Sequence, residues 1–189
     1  FDYFFSIILF FILIFPIFFL SLLIKILDGS PIFFIQDRAG FKGKPIKIIK
    51  FKTIIETKNG NKKVSKLGKF LRLTRIDEIP QLFNVLNGQI SFVGPRPLYE
   101  KYIKLYSAEQ KKRLNMKPGI TGWAQINGDN NISWKKKFEL DIWYINNFNF
   151  LLDLKIIFLT IIFFFRGIMF YKKNKVSKII IDKEFNGKN

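Results

Sequence analysis

From Tyr3 to Ile24 the chain runs 22 positions without a charged side chain, long enough for a helix to cross the hydrocarbon of a bilayer. Pro16 falls near the middle, where it deletes one helical hydrogen bond and disfavours helical geometry at Phe15. Two forms are open: a kinked spanning helix, or a helix that breaks at Pro16 and leaves by the face it entered. The run lacks the basic start and small-residue cleavage site of a signal peptide. Lys25 and Asp28-Gly29-Ser30-Pro31 end this membrane element, residues 1–27, and residues 28–189 form the domain that follows.

Beyond it the apolar runs shorten. Ile32 to Gln36 and Pro45 to Thr53 read as two strands around the turn Arg38 to Gly43, a small β-hairpin whose second strand slips once, at Ile49. Thr57 to Ser65 is a polar, lysine-rich loop, and Leu67, Phe70 and Leu71 begin a short helix. Ile79, Leu82, Phe83 and Leu86 then follow the i, i+3, i+4, i+7 spacing of one buried helix face, with Asn87-Gly88 as its stop. Thr74 or Asp77 can cap its start, and Pro80 is tolerated because it lies in the first turn.

Leu98 to Tyr106 and Ala108 to Met116 read as helices with Ser107 as a cap between them. Pro118 to Trp123 interrupts helix and opens an irregular segment, Trp123 to Asn131, rich in amides and aromatic rings. Such a loop suits a nucleotide base, and equally a packed surface. Ser133 caps a further helix, on which Trp134, Phe138, Asp141 and Ile145 form one stripe. Ile156 to Phe165 is apolar on all sides for ten residues, short for a span, so it is expected to pack under the domain or rest at the lipid interface. The fold class is α-rich α+β.

Composition narrows the chemistry. Neither cysteine nor histidine is present, which excludes disulfides, thiolate metal sites and imidazole catalysis. Carboxylates, lysines, hydroxyls or an oxygen-bound cation must do any chemistry. The net charge of +18 calls for an anionic partner, whether nucleic acid, anionic lipid or a phosphorylated substrate. Lys172, Lys173, Lys175 and Lys178 cluster in the tail, as suits an anionic cytoplasmic leaflet. Only six of the 32 basic residues are arginines, and Arg72, Arg75 and Arg96 fall within 25 residues of one another. A planar guanidinium is better suited than lysine to grip phosphate.

The candidate chemistry lies in Arg72 to Pro97. Asp77 and Glu78 are expected at a helix N-terminus, where free N–H groups favour a carboxylate or a phosphate, although acidic residues there are also ordinary caps. Pro95 and Pro97 fix the backbone on both sides of Arg96. Asp141, on an apolar stripe, needs a partner: a lysine in a salt bridge, or a metal or substrate.

These residues sit in a longer series of motifs: Gln36-x-Arg38-x-Gly40, Lys50-Phe51-Lys52-Thr53, Asp77-Glu78-x-Pro80-Gln81-Leu82-Phe83-Asn84-Val85, Ser91 to Pro97, Lys117 to Gln125, and Ser133 to Asp141. The series resembles the bacterial sugar transferases, small monotopic phosphoglycosyl transferases, over nearly the whole chain. The C-terminal Glu184-Phe185-Asn186-Gly187-Lys188-Asn189 resembles that of a member which opens N-linked glycan assembly.

The resemblance implies a re-entrant membrane helix hairpin broken at Pro16, with a helical catalytic domain and interfacial helices on the cytoplasmic face of the bacterial inner membrane. It implies transfer of a sugar 1-phosphate from a UDP-sugar, expected to be an N-acetylated amino sugar, to undecaprenyl phosphate, with release of UMP and hand-over to downstream glycosyltransferases. It assigns Asp77 as nucleophile and Glu78 as a Mg²⁺ ligand. Arg72 and Arg96 would bind phosphate or nucleotide, with Pro95, Pro97, Lys52, Gln125 and Asp141 grouped at the substrate site. Two positions depart from the family pattern: Asp129 where an arginine is expected, and Ile54 where methionine follows Lys-Thr. Nucleic-acid binding is permitted by charge, but scarce arginine and the lack of a reader motif argue against it.

Overall fold

The computed structural model describes residues 2–57, 59–128, 132–173 and 184–187, with side chains up to Arg166 in the last helix. In chain order the elements are α1 (Asp2–Leu27), β1 (Phe33–Ala39), β2 (Pro45–Phe51), β3 (Ile54–Glu56), β4 (Lys62–Val64), α2 (Lys66–Thr74), α3 (Leu82–Leu86), β5 (Ser91–Val93), α4 (Ala108–Lys111), β6 (Gly119–Thr121), α5 (Trp123–Ile126), α6 (Trp134–Asn147) and α7 (Phe150–Lys173). Short 3₁₀ turns cover Phe41–Gly43, Ile76–Gln81, Glu100–Leu105 and Lys112–Asn115. The chain is helix-rich with three two-stranded sheets, β1-β2, β3-β4 and β5-β6. Only the first was expected; β3 and β4 lie in and beside the lysine-rich loop. Asp129 and the tail lysines Lys175 and Lys178 fall outside the described residues, as do the side chains of Lys172 and Lys173.

The contacts group the chain into two compact units. The first takes in residues 2–36, 48–86 and 164–173 among those described. Here α1 is helical from Asp2 to Leu27, with Pro16 inside it. One stripe of α1, Leu13, Ile17, Leu20 and Ile24, packs with Phe51, Leu71 and Phe83. Ile24 and Leu71 are fully buried, each contributing about 1.5–3 kcal/mol. Elsewhere on α1, Phe11, Phe15, Phe18 and Phe19 are exposed.

A polar cluster fixes the start of α2. The Ser65 hydroxyl accepts the Gly68 N–H at 2.7 Å and donates to the Asp28 carboxylate at 2.5 Å. At Gly68 a Cβ would collide with the Thr53 carbonyl oxygen, so only glycine lets α2 lie this close to the chain leaving β2.

The second unit holds residues 37–47, 87–163 and 184–187 among those described. β5 and β6 pair in parallel, Ser91 opposite Gly119 and Val93 opposite Thr121. The pairing brings Val93-Gly94-Pro95 against Pro118-Gly119-Ile120, with Gly94 N–H on the Thr121 carbonyl at 2.9 Å and Gly119 N–H on the Pro95 carbonyl at 3.0 Å. A Cβ on Gly119 would strike the Gly94 nitrogen, and one on Gly122 the Gly94 carbonyl. The glycines of two separate motifs therefore answer one requirement, backbone against backbone.

Beside them, Leu98, Tyr102, Tyr106, Trp134 and Phe138 form an aromatic core closed by Phe185 from the C-terminal segment. Ser107 and Ser133 cap α4 and α6 as expected, Ser107 in a reciprocal box with Gln110. The helices expected over residues 98–116 are shorter: a 3₁₀ turn, α4 and a second 3₁₀ turn. α7, by contrast, extends over 24 residues around the apolar decad. It buries Ile156 while Leu151, Phe158 and Phe165 stay exposed.

Asp141 meets Arg113, not one of the lysines. Both are buried, and Oδ2 of Asp141 accepts from Nε at 3.1 Å and from Nη2 at 2.9 Å. Burial works against the Arg113 charge, but Asp141 and the Tyr106 hydroxyl outweigh it and hold the guanidinium above its ordinary value. Burial pushes the Asp141 carboxyl up, against the pull of Arg113. Arg113→Met or Asp141→Asn is expected to cost about 4 kcal/mol in denaturant unfolding, because either strands a buried charge, whereas an apolar pair at both positions recovers most of the loss.

Candidate active site

The expected helix over residues 79–86 is a 3₁₀ turn, Ile76–Gln81, followed by the five-residue α3. Neither candidate cap serves. Thr74 ends α2, its hydroxyl donating back to Phe70 and Leu71 carbonyls, and the left-handed Arg75 (φ 57°) starts the turn. The Glu78 N–H is already bonded to the Arg75 carbonyl at 3.1 Å, so the dipole argument for this acidic pair weakens.

A cation does the work instead. Lys50 Nζ lies 2.5 Å from Glu78 Oε1, with side-chain exposures of 16% and 8%. Lys50 shares the strand parity of the buried Ile46 and Ile48 on β2, so the pleat turns it toward Glu78 rather than to water. Beside it, Asn84 of α3 accepts the Ile49 N–H on its side-chain oxygen at 3.1 Å. Sequence reading quoted Lys50 within a motif but gave it no role. Its signal was a lysine in register with two buried isoleucines.

Around this pair Asp77 is half-buried, as is Arg72. Arg72 donates from Nε to the hydroxyl of the buried Thr53 at 2.8 Å, which holds the guanidinium at one edge. Lys52 points to the chain after α1, reaching the Ser30 carbonyl at 3.1 Å and that of Asp28 at 3.4 Å. Asp77, Glu78, Arg72, Lys52 and Pro16 thus belong to the first unit, and Arg96, Pro95, Pro97, Gln125 and Asp141 to the second.

In the second unit Pro95 and Pro97 are buried and Arg96 between them is half-buried. The prolines shape the loop, and its carbonyls are gripped from outside. Arg113 donates to the Arg96 carbonyl at 2.6 Å, and Arg38 to that of Pro97 at 3.3 Å while stacking on Tyr99 at 3.8 Å. Arg96, Arg113, Gln125, Trp134, Lys137 and Asp141 line one open cleft. Trp123 is not offered to a ligand as the loop reading allowed; it stacks on Trp143 at 4.9 Å.

Among the described residues no group of three or more acidic side chains could cage a metal. Asp77 and Glu78 are adjacent carboxylates, which fits Mg²⁺ only as an ion completed by water and substrate phosphates. Energetic linkage between Lys50 and Glu78 is open to a double-mutant cycle with Lys50→Met and Glu78→Gln. We expect each single change to destabilise the fold and the pair to couple by about 2 kcal/mol; additive losses in unfolding would exclude the pairing.

Comparison with known proteins places these motifs. Residues 1–167 match the family described as bacterial sugar transferase. The chain is 51% identical over 145 residues to the uncharacterised sugar transferase EpsL of Bacillus subtilis, covering 73% of this chain and 72% of that protein. It is 43% identical over 159 residues to the UDP-glucose:undecaprenyl-phosphate glucose-1-phosphate transferase of Klebsiella pneumoniae, covering 73% of this chain and 33% of that protein. Against the UDP-N-acetylgalactosamine-undecaprenyl-phosphate N-acetylgalactosaminephosphotransferase of Aeromonas hydrophila it is 35% identical over 159 residues, 75% of this chain and 37% of that one. The chain spans about a third of the length of these last two. With the Asp77-Glu78, Pro-Arg-Pro and Lys117 to Gln125 motifs all inside the matched region, the chain belongs to the bacterial sugar transferase family.

Proposed function

We propose that this chain transfers a sugar 1-phosphate from a UDP-sugar to undecaprenyl phosphate, releasing UMP, as a first membrane step in building a glycan. The observation that carries the reading is the half-buried Asp77 beside Glu78, a buried carboxylate already held by Lys50, within the segment that matches the family. An Asp77 oxygen attacks the β-phosphorus of the donor, the bond to the α-phosphate oxygen breaks, and UMP leaves. A phosphate oxygen of the lipid then attacks the same phosphorus, and the Asp77 carboxylate is released unchanged. Dividing the reaction lets a soluble donor and a lipid acceptor use one carboxylate in turn.

Glu78 would hold Mg²⁺ together with donor phosphate oxygens, and the ion, when bound, offsets the repulsion between the Asp77 carboxylate and the diphosphate. Lys50 orients the Glu78 carboxylate before the donor arrives. Arg72, fixed at Nε by Thr53, turns the rest of its guanidinium to phosphate. Arg96 is assigned phosphate or nucleotide on the family resemblance. For the sugar we favour an N-acetylated hexosamine, in keeping with the C-terminal motif and with the relative named for N-acetylgalactosamine.

We further propose that α1 dips into the cytoplasmic leaflet and bends at Pro16 without crossing. Its contacts support this: Phe10, before the proline, packs on Phe83 of α3 with ring centroids 5.8 Å apart, and Leu13 to Ile24 pack on the same unit. A helix held to its domain on both sides of Pro16 cannot stand clear of that domain across a bilayer without burying α3 in lipid.

Purified protein given UDP-N-acetylhexosamine labelled in the sugar phosphate, without lipid, is expected to take up label; Asp77→Asn should not, and should release UMP about 10³-fold more slowly or less. Turnover at the normal rate by that variant would remove Asp77 as nucleophile, and chelation of divalent ions is expected to abolish UMP release in the wild type. The chain has no cysteine, so single thiols at Asp2 and Lys173 report topology without background: both should react with an impermeant reagent only from the cytoplasmic side. A periplasmic Asp2 would mean a spanning helix.

A further inference from the structure

Where α1 ends, three stretches of chain meet through polar groups, all within the first unit. The half-buried Asp28 accepts the Ser65 hydroxyl at 2.5 Å, and its own N–H closes the last turn of α1 on the Ile24 carbonyl at 2.8 Å. Lys52 holds the same exit, reaching the carbonyls of Asp28 and Ser30. Ser65 in turn is the cap of α2, and Thr53 secures that helix toward both ends. The Thr53 carbonyl accepts the Ser65 N–H at 3.0 Å, and its hydroxyl accepts from Nε of Arg72 at 2.8 Å. Ser65 and Thr53 are buried, where a hydrogen bond is stronger than in water. Past α2, only Arg75 and Ile76 precede Asp77.

We propose that Asp28 is a positioning residue for the acceptor half of the reaction. It fixes where α1 leaves the domain relative to α2, and through α2 the level of Asp77 against the lipid surface. The inference rests on the reading that Asp77 serves a soluble donor and a lipid acceptor in turn. The stripe from Leu13 to Ile24 holds α1 by apolar packing, which is non-directional. A hydrogen bond fixes both a length and an angle. The contact between Asp28 and Ser65 therefore supplies a register between the helix and the segment that carries the acidic pair. Of the two substrates, the acceptor alone is held at a set depth, because its phosphate is anchored by its lipid. The donor diffuses to Asp77 from water whatever the tilt of α1, so loss of the contact bears on one half-reaction and spares the other.

Asp28→Ala removes the accepting oxygen and leaves the Ser65 cap on the Gly68 N–H in place; Asp28→Asn keeps an oxygen for the Ser65 hydroxyl. Given UDP-N-acetylhexosamine labelled in the sugar phosphate, without lipid, both variants are expected to take up label at the wild-type rate, which also shows that they fold. Transfer of that label to undecaprenyl phosphate in a phospholipid bilayer should fall about tenfold or more in Asp28→Ala and return in Asp28→Asn. Transfer to a water-soluble short-chain prenyl phosphate, with no bilayer, should be the same for all three proteins, because depth no longer matters. Undiminished bilayer transfer by Asp28→Ala overturns the proposal, as does failure of Asp28→Asn to restore it. An equal loss in label uptake or with the soluble acceptor also overturns it, and marks Asp28 as structural. A wild-type protein that takes up no label removes the two-step reading itself, and the acceptor role of Asp28 with it.

Discussion

A carboxylate taken out of water must be met by a cation, and among the described residues this happens twice. Lys50 meets Glu78 in the first unit and Arg113 meets Asp141 in the second. In a protein with 32 basic and 14 acidic residues, cations are abundant and buried acids are few, so each burial selects a particular partner. The two pairs serve different ends. Lys50 is an ammonium on a strand, a compact charge that can share a carboxylate with phosphate or an ion; Arg113 is a planar fork that satisfies Asp141, Tyr106 and the Arg96 carbonyl together.

That fork ties packing to chemistry. Arg113 holds the Pro-Arg-Pro loop by its backbone, Arg38 holds the next carbonyl, and two buried prolines remove the remaining freedom. The Arg96 backbone is thereby left little freedom to lose. Gly94, Gly119 and Gly122 add a second restraint, since their backbones touch where any side chain would force β5 and β6 apart. Gln125, one turn beyond Gly122, inherits its position from that contact.

The N-terminal helix follows a related economy. α1 has one stripe committed to the first unit and many of its other apolar side chains exposed, the kind of patch that marks a membrane or protein contact. Pro16 lies inside the helix at a point where the missing hydrogen bond allows bending. α7 repeats the theme, with Ile156 buried and Leu151, Phe158 and Phe165 exposed.

The sequence by itself determined the elements whose signals are local. The apolar run of α1, the serine caps at Ser107 and Ser133 and the α6 stripe are all read from neighbouring residues and recur in the structure. So did the motif series that marks the family. Tertiary structure decided what depends on residues far apart: the parallel pairing of β5 with β6, the choice of Arg113 over any lysine for Asp141, the turn of Lys50 toward Glu78, and the closure of the aromatic core by Phe185. It also reduced the expected helix at Asp77 to a 3₁₀ turn. Spacing along one helix or strand is written into adjacent side chains, whereas the partner of a buried charge is set by which chain segment folds against it, and that geometry has no local signature.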